Sequence, residues 1–418
     1  MFFIYQFITF LIFLISPLII IFRLLKKKEH ILRFKEKFCF FSKQRGRGKL
    51  IWFHGSSVGE ILSIIPLVEK LEKNKSIQKI LITSSTLSSL SILNKYKLKK
   101  TIHQFFPVDL IFFTNKFLNY WDPSAAIFVE SEIWPSMFWG LKKKSIPLLL
   151  INARITKKTF NRWKKIPSFA KSIFNKILIA YPQNLETFQY LKKLKVNNIK
   201  FLGNLKFSEN KKNKIESLNK SFLDKFKNRK VWCAASTHAN EELDCANVHL
   251  NLKKKYKKLL TIIIPRHTYR VKEIRNKIES LGLNVVSRSS EKKINIKTDV
   301  YLVDTYGETN KFYKICEIVF LGGSLIKHGG QNPIEPARLG STILHGPNIN
   351  NFKEVYKLFH DKKISYKANN INQLTKLVDK SIINSKNKKN KYLIIKKIGN
   401  DILNKTTYEI NKIIKNGT

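Results

Sequence analysis

Short apolar runs alternating with helical patterns constrain this 418-residue chain more than any other feature. Leu50–Phe53, Ile80–Thr83, Ile102–Phe106, Ala125–Val129, Leu148–Ile151, Ile177–Ala180 and Ile199–Leu202 form a first series of runs. A polar stretch from Ser208 to Lys230, rich in Lys and Asn, interrupts the alternation. It resumes with Val231–Ala235, Leu259–Ile264, Val285–Ser287, Val300–Val303, Ile318–Leu321 and Thr342–Leu344. Strands that alternate with helices pair in parallel and carry helices on both faces. The length also exceeds what one hydrophobic core usually serves. The sequence thus predicts two α/β domains, 45–207 and 231–418, joined by a linker at 208–230, with a ligand cleft between them.

Ahead of these domains, Phe2 to Phe22 is interrupted only by Gln6, Thr9, Ser16 and Pro17, and Arg23 and Lys26 to Lys28 follow at once. A helix of that length matches the hydrocarbon thickness of a bilayer, about 30 Å. Residues 1–25 are therefore expected to anchor the chain to a membrane, with the basic flank placing the domains on the cytoplasmic side. A helix lying in the membrane interface is the alternative. A cleaved signal peptide fits poorly, because no positive charge precedes the apolar run and no small-residue cleavage site follows it.

The net charge of +49, from 78 basic and 29 acidic side chains, suits anionic lipid, phosphorylated substrates or nucleic acid. Much of the excess lies in solvated runs such as Glu209–Lys214 and Asn384–Lys391. Nucleic acid is not expected as a partner, since neither a reading motif nor a basic face with interleaved aromatics is present. Cys39, Cys233, Cys245 and Cys316 have no CxxC spacing, so neither a disulfide framework nor a zinc site is expected. No GxGxxG or GxxxxGK[ST] opens either half, and no DxD-like pair is set to hold a metal.

The residues with chemistry fall after the predicted strands. In IWFHGSSVGE, Ile51 to Glu60, an apolar run breaks at small residues and ends on a carboxylate at a helix start. There Glu60 is either a dipole-complementing cap or a general base. Glu130 and Glu132 follow Val129; in an extended segment they point opposite ways, so only one is expected to face a ligand. Asn152 and Arg154 follow another run, and Lys206 in Gly203–Lys206 is a point cation suited to an anion. In the second half Ser236, Thr237 and His238 offer an anion site, and Pro265, Arg266 and His267 place a guanidinium that can hold phosphate bidentately. The densest stretch, Leu321 to Pro347, contains Gly322 and Gly323, whose amides are expected to approach a phosphate, and Gly329 and Gly330 as a second permissive loop. Asn332, Pro333, Ile334 and Glu335 follow, with Glu335 able to accept both hydroxyls of a ribose at a helix start.

Taken together and in order, IWFHGSSVGE (Ile51–Glu60), ESEIWPS (Glu130–Ser136), NARIT (Asn152–Thr156), GNLKF (Gly203–Phe207), STHANEE (Ser236–Glu242), IPRH (Ile264–His267), VDTYGE (Val303–Glu308) and GGSLIKHGGQNPIEPA (Gly322–Ala337) closely resemble the 3-deoxy-D-manno-octulosonic acid (Kdo) transferases of lipopolysaccharide synthesis. The resemblance implies a GT-B glycosyltransferase with two Rossmann-like domains facing a cleft. It implies inverting transfer of Kdo from CMP-Kdo to the lipid A precursor lipid IVA at the cytoplasmic face of the inner membrane, beside anionic lipids and without a metal or other cofactor. By position, Glu60 looks like the catalytic base, and Glu130 and Lys206 like groups that stabilise the transition state. Ser236, Pro265, Arg266, Tyr306, Gly307, Glu308, Gly323 and Asn332 to Glu335 look like the CMP-Kdo-binding segments. The family often has His where this chain has Gln331, which keeps hydrogen-bonding capacity but cannot become a cation. Another GT-B transferase using a UDP-sugar on a lipid-linked acceptor is the nearest alternative.

Overall fold

A computed structural model describes residues 1–209, 218–290, 294–384 and 388–416. The polar runs at 208–230 and 384–391 therefore lie partly outside the described residues. The chain divides into two compact units, Met1–Asn210 with Ile398–Thr418, and Lys211–Lys397.

The first unit is built on six parallel strands: β1 (Leu50–His54), β2 (Lys79–Ser84), β3 (Thr101–Phe105), β4 (Ala125–Val129), β5 (Leu148–Ala153) and β6 (Ile179–Pro182). Their order is β3-β2-β1-β4-β5-β6, the doubly wound arrangement in which ligands sit past the carboxyl ends of the strands, where the order reverses. That reversal falls between β1 and β4, the strands that lead into Gly55–Glu60 and Glu130–Ser136. Both strands are fully buried because helices cover both faces, which explains their continuous apolar runs. Trp52 packs edge-on to Phe128 and beside Phe117, and Phe138 meets Phe128 from the other side. Ile199–Leu202, expected as a strand, makes only a single bridge at Ile199 to Ala180.

The second unit carries β7 (Lys230–Thr237), β8 (Leu259–Pro265), β9 (Val285–Ser287), β10 (Val300–Leu302), β11 (Ile318–Leu321), β12 (Thr342–His345) and β13 (Ser365–Lys367) in the order β13-β12-β11-β7-β8-β10-β9, again all parallel. The three-residue edge strand β13 escaped the sequence reading because it has almost no apolar run. At the reversal between β7 and β11 lie Ser236–His238 and Gly322–Ser324. Both units are thus the Rossmann-like domains of a GT-B architecture.

Two segments depart from the expected boundaries. The N-terminal helix, Phe2–Leu25, is long and apolar enough to cross a membrane, and none of its residues is buried. Its first half is nonetheless docked on the first unit: Phe2 stacks on Trp139 at 4.7 Å, Tyr5 donates to Asp109 at 2.7 Å, and Phe13 meets Phe38 and Phe113. The C-terminal helix, Lys388–Asn416, was expected to belong wholly to the second domain. From Ile398 onward it belongs to the first unit, where Lys49 donates to the Ile414 carbonyl, Asn74 to Asn411, and Tyr181 to Glu409. A Cβ on Gly399 would lie 2.4 Å from the Phe207 carbonyl oxygen, so only glycine permits this helix to approach the Leu205–Phe207 turn. Gly399→Ala is expected to lower stability by about 1–3 kcal/mol, read as a lower urea midpoint at unchanged slope.

Candidate functional site

At the carboxyl edge of the first sheet, the helix Val58–Leu71 begins with a capping box: Ser57 Oγ accepts the Glu60 amide at 3.3 Å while the Glu60 carboxylate accepts the Ser57 amide. Glu60 Oε2 also accepts the Ser56 amide at 2.6 Å. Glu60 is therefore a cap, but its environment makes it more than that. Burial first, then the neighbouring charge of Glu132 and, more weakly, of Glu130, raise its pKa to about 7, against the lowering effect of the two amides. A helix start favours the ionised carboxylate; desolvation and like charge overcome that effect here.

Glu132 is held by a different set of partners. Its Oε2 accepts the Ser56 hydroxyl at 2.6 Å and the Trp134 indole N–H at 2.8 Å, and lies 3.0 Å from Nε2 of His54. His54 is fully buried at the end of β1, and its Nδ1 is 2.9 Å from Thr83 Oγ1. Ser56 thus links two carboxylates, its amide on Glu60 and its hydroxyl on Glu132. Hydrogen bonds from His54, Ser56 and Trp134 outweigh burial and hold Glu132 below the usual carboxylate range.

Glu130 occupies a left-handed backbone position, φ 55°, which breaks the extended alternation. Glu130 and Glu132 consequently both bear on Glu60, where only one was expected to face the site. Glu130 Oε1 is paired with Lys206 Nζ at 2.6 Å. Lys206 is aimed by its turn: Asn204 Oδ1 accepts the Lys206 amide at 2.9 Å, and Asn152 Oδ1 accepts the Leu205 amide at 3.0 Å. Glu60, Glu130 and Lys206 are therefore brought to one place. His54, Ser56 and Glu132 complete it, and although they lie in the same two motifs, a buried strand-end His gave no sign of this role.

In the second unit, the amides of Gly323, Ser324 and Leu325 do not await a phosphate. They donate to the buried Glu241, at 2.6, 3.0 and 3.0 Å, as does the His238 amide at 3.0 Å. The expected role of the Gly323 amide is thereby corrected: Glu241 fixes this loop against the start of the helix Glu241–Lys253. Gly323, at φ 64°, instead makes room for imidazoles, since a Cβ there would come within 3.1–3.3 Å of His328 and His238. Ser236 is likewise left-handed, φ 55°, and its carbonyl abuts Gly322.

The outcome is a cluster of three imidazoles beside two guanidinium groups. His238 lies 4.1 Å from His328 and 5.9 Å from His267, ring to ring, and Gln331 Nε2 approaches its Nε2 at 3.2 Å. Burial, then the charges of His328, His267, Arg266 and Arg270, lower the His238 pKa to about 4. Arg270 is neutralised by Glu242, at 3.0 and 3.3 Å. Arg266 is exposed just past Pro265, the last residue of β8. Asn332 Oδ1 accepts the Ile334 amide at 3.1 Å, with Pro333 capping the short helix Ile334–Arg338 and Glu335 in its first turn. Tyr306 is 78% exposed beside an open Gly307, φ 82°. Glu308, expected to bind substrate, is engaged with Arg288 through two 3.0 Å bonds and with Thr305, and these hold its pKa at about 2. Among the described residues, no group of three or more His, Cys, Asp or Glu could hold a metal.

The family model described as 3-Deoxy-D-manno-octulosonic-acid transferase (kdotransferase) matches residues 32–209, within the first unit. The 3-deoxy-D-manno-octulosonic acid transferase of Rickettsia bellii is 36% identical over 358 residues, 84% of each chain. The chain belongs to the Kdo transferase family. The Haemophilus influenzae transferase of the same name is 30% identical, over 80% of this chain and 79% of that one. A glycosyltransferase structure from Rickettsia africae shares the fold, with a TM-score of 0.60 at 14% identity, covering 89% of this chain and 100% of that one. This Kdo transferase is thus a glycosyltransferase whose family motifs line the carboxyl edges of both sheets.

Glu60 sets a pH dependence of stability. Its folded pKa is raised, so its stabilising contribution is complete below about pH 4.5 and is lost as pH rises through about 7. Glu60→Gln is expected to stabilise the protein by ~1–2 kcal/mol at pH 8, after allowance for solvent screening, and to change little at pH 4.5. Urea unfolding at the two pH values measures this. Glu132→Gln should move the Glu60 pKa downward, visible as a smaller alkaline loss of stability that is complete at a lower pH.

Proposed function

We propose that this enzyme transfers Kdo from CMP-Kdo to the lipid A precursor lipid IVA, with inversion, at the cytoplasmic face of the inner membrane. The observation that carries the mechanism is the carboxylate of Glu60, part-buried at a sheet edge with a pKa near 7, the value at which a general base works best at neutral pH. Glu60 takes the proton of an acceptor sugar hydroxyl. The freed oxygen bonds to the anomeric carbon of Kdo as the bond from that carbon to the phosphate oxygen breaks, and CMP leaves with the electron pair. Lys206, held by Glu130, offers a cation to the sugar carboxylate or the leaving phosphate.

The second unit binds the donor. Arg266, His238 and His328 form its anion seat, and the segments at Ser236, Tyr306–Gly307 and Asn332–Glu335 surround the nucleotide. Glu308 acts there by holding Arg288 in place. The leaving group is a monophosphate, so no metal is needed to bridge a diphosphate. The apolar outer face of the N-terminal helix seats the first unit on the inner membrane, where its basic flank meets anionic lipid at about 1 kcal/mol per Lys or Arg.

Mass analysis of the products from CMP-Kdo, lipid IVA and the purified enzyme tests the reaction; an acceptor of unchanged mass would sink it. Glu60→Ala is expected to lower transfer at least ~10²-fold while CMP continues to protect the second unit from proteolysis. Protection by UDP but not CMP would point to a different donor.

A further inference from the structure

A cavity of about 530 Å³ lies in the first unit among the helices Lys157–Lys164, Pro167–Phe174 and the end of Leu185–Lys193, and no family motif reaches it. Its volume is within the roughly 300–1,000 Å³ of small-molecule sites. The floor is aromatic and aliphatic. Phe160 is fixed by stacking on Tyr190 at 4.3 Å, Trp163 stands edge-on to Phe174, and Ala170 and Leu194 are buried beneath. The rim is cationic, formed by the exposed Lys164, Lys171, Lys193 and Lys195 with no carboxylate among the lining residues. Residues 157–195 hold ten basic side chains and one acidic one, Glu186, far beyond the bias of the whole chain; Glu186 itself accepts from the Tyr190 hydroxyl.

An apolar floor beneath four ammonium groups matches an alkyl chain that ends in an anion. A hydrated phosphate ion or a nucleic-acid backbone would use the rim and leave the floor unfilled. The position agrees. Phe169, between lining residues Ser168 and Ala170, lies 6.1 Å from Trp163 and 6.1 Å from Tyr5 of the N-terminal helix. One ring thus separates the cavity wall from the apolar helix that seats the unit on a membrane. We propose that this cavity binds one anionic phospholipid of the bilayer, its acyl chain on Phe160 and Trp163 and its phosphate among the lysines. The inference rests on the membrane seat proposed above and is independent of the donor and the reaction.

The test uses the full-length protein with two vesicle types: phosphatidylglycerol brominated on its acyl chains in plain phosphatidylcholine, and the reverse labelling. The signal of Trp163 is the difference between the protein and Trp163→Phe. It should fall at least twofold with brominated phosphatidylglycerol and far less with brominated phosphatidylcholine. The variant K164E/K171E/K193E, its fold checked by circular dichroism, should lose most of this quenching while still co-sedimenting with vesicles through the N-terminal helix. Equal quenching by both lipids, unchanged quenching in the variant, or displacement by inorganic phosphate or an oligonucleotide at equal concentration would overturn the site. Failure of the protein to co-sediment at all would overturn the membrane seat as well, whereas product formation from CMP-Kdo reports separately on the reaction.

Discussion

Three carboxylates crowd one sheet edge in the first unit, and its chemistry depends on their being satisfied unequally. Burial pushes Glu60 and Glu132 towards the neutral form, and the charges of Glu132 and Glu130 add to that at Glu60. Glu130 is ion-paired with Lys206, while hydrogen bonds from Ser56, Trp134 and His54 hold Glu132 ionised against its burial. Glu60 receives only the amides of Ser56 and Ser57, which are too weak to offset desolvation and the nearby charges. The proton affinity that the group as a whole must carry is thereby concentrated on one residue. Pairs of acids driven apart in pKa by their surroundings mark acid–base sites generally, and here the divergence arises within two short loops.

The second unit solves the opposite problem. Its imidazoles, His238, His328 and His267, gather beside Arg266 and Arg270, and burial, then the charges of these neighbours, lowers the pKa of His238. The acids that lie close by are spent on other tasks: Glu241 on four loop amides, Glu242 on Arg270 and Glu308 on Arg288.

How far the sequence could be read follows from which forces act locally. Buried parallel strands need continuous apolar runs, so twelve of the expected runs became strands within a few residues of their limits, whereas β13, at an edge, left no such trace. The placement of Glu60 and Glu130 past strand ends was legible for the same reason, whereas the run ahead of Lys206 makes only a single bridge at Ile199. Side-chain direction was not. The left-handed φ of Glu130 lies where β4 ends beside Asn152 of β5, and that conformation turned two alternating acids towards one partner. The Gly323 amide was misread because glycine after a strand is compatible with any acceptor. The acceptor proved to be Glu241, 82 residues away in sequence, which no local pattern encodes.

The position of the cation in the first unit depends on the end of the chain. Lys206 stands in a three-residue turn whose backbone is braced from within by Asn204 and Asn152 and from behind by the C-terminal helix. Ile402 of that helix fills the space a side chain at Gly203 would occupy, and Gly399 lets its backbone close on Phe207. A point charge on a flexible stem has many rotamers, and it can stabilise developing charge only where the backbone beneath it is fixed. The turn has too few residues to be rigid by itself. The C-terminal helix from Ile398 onward supplies the missing wall, so the first unit is completed only when that segment packs onto it.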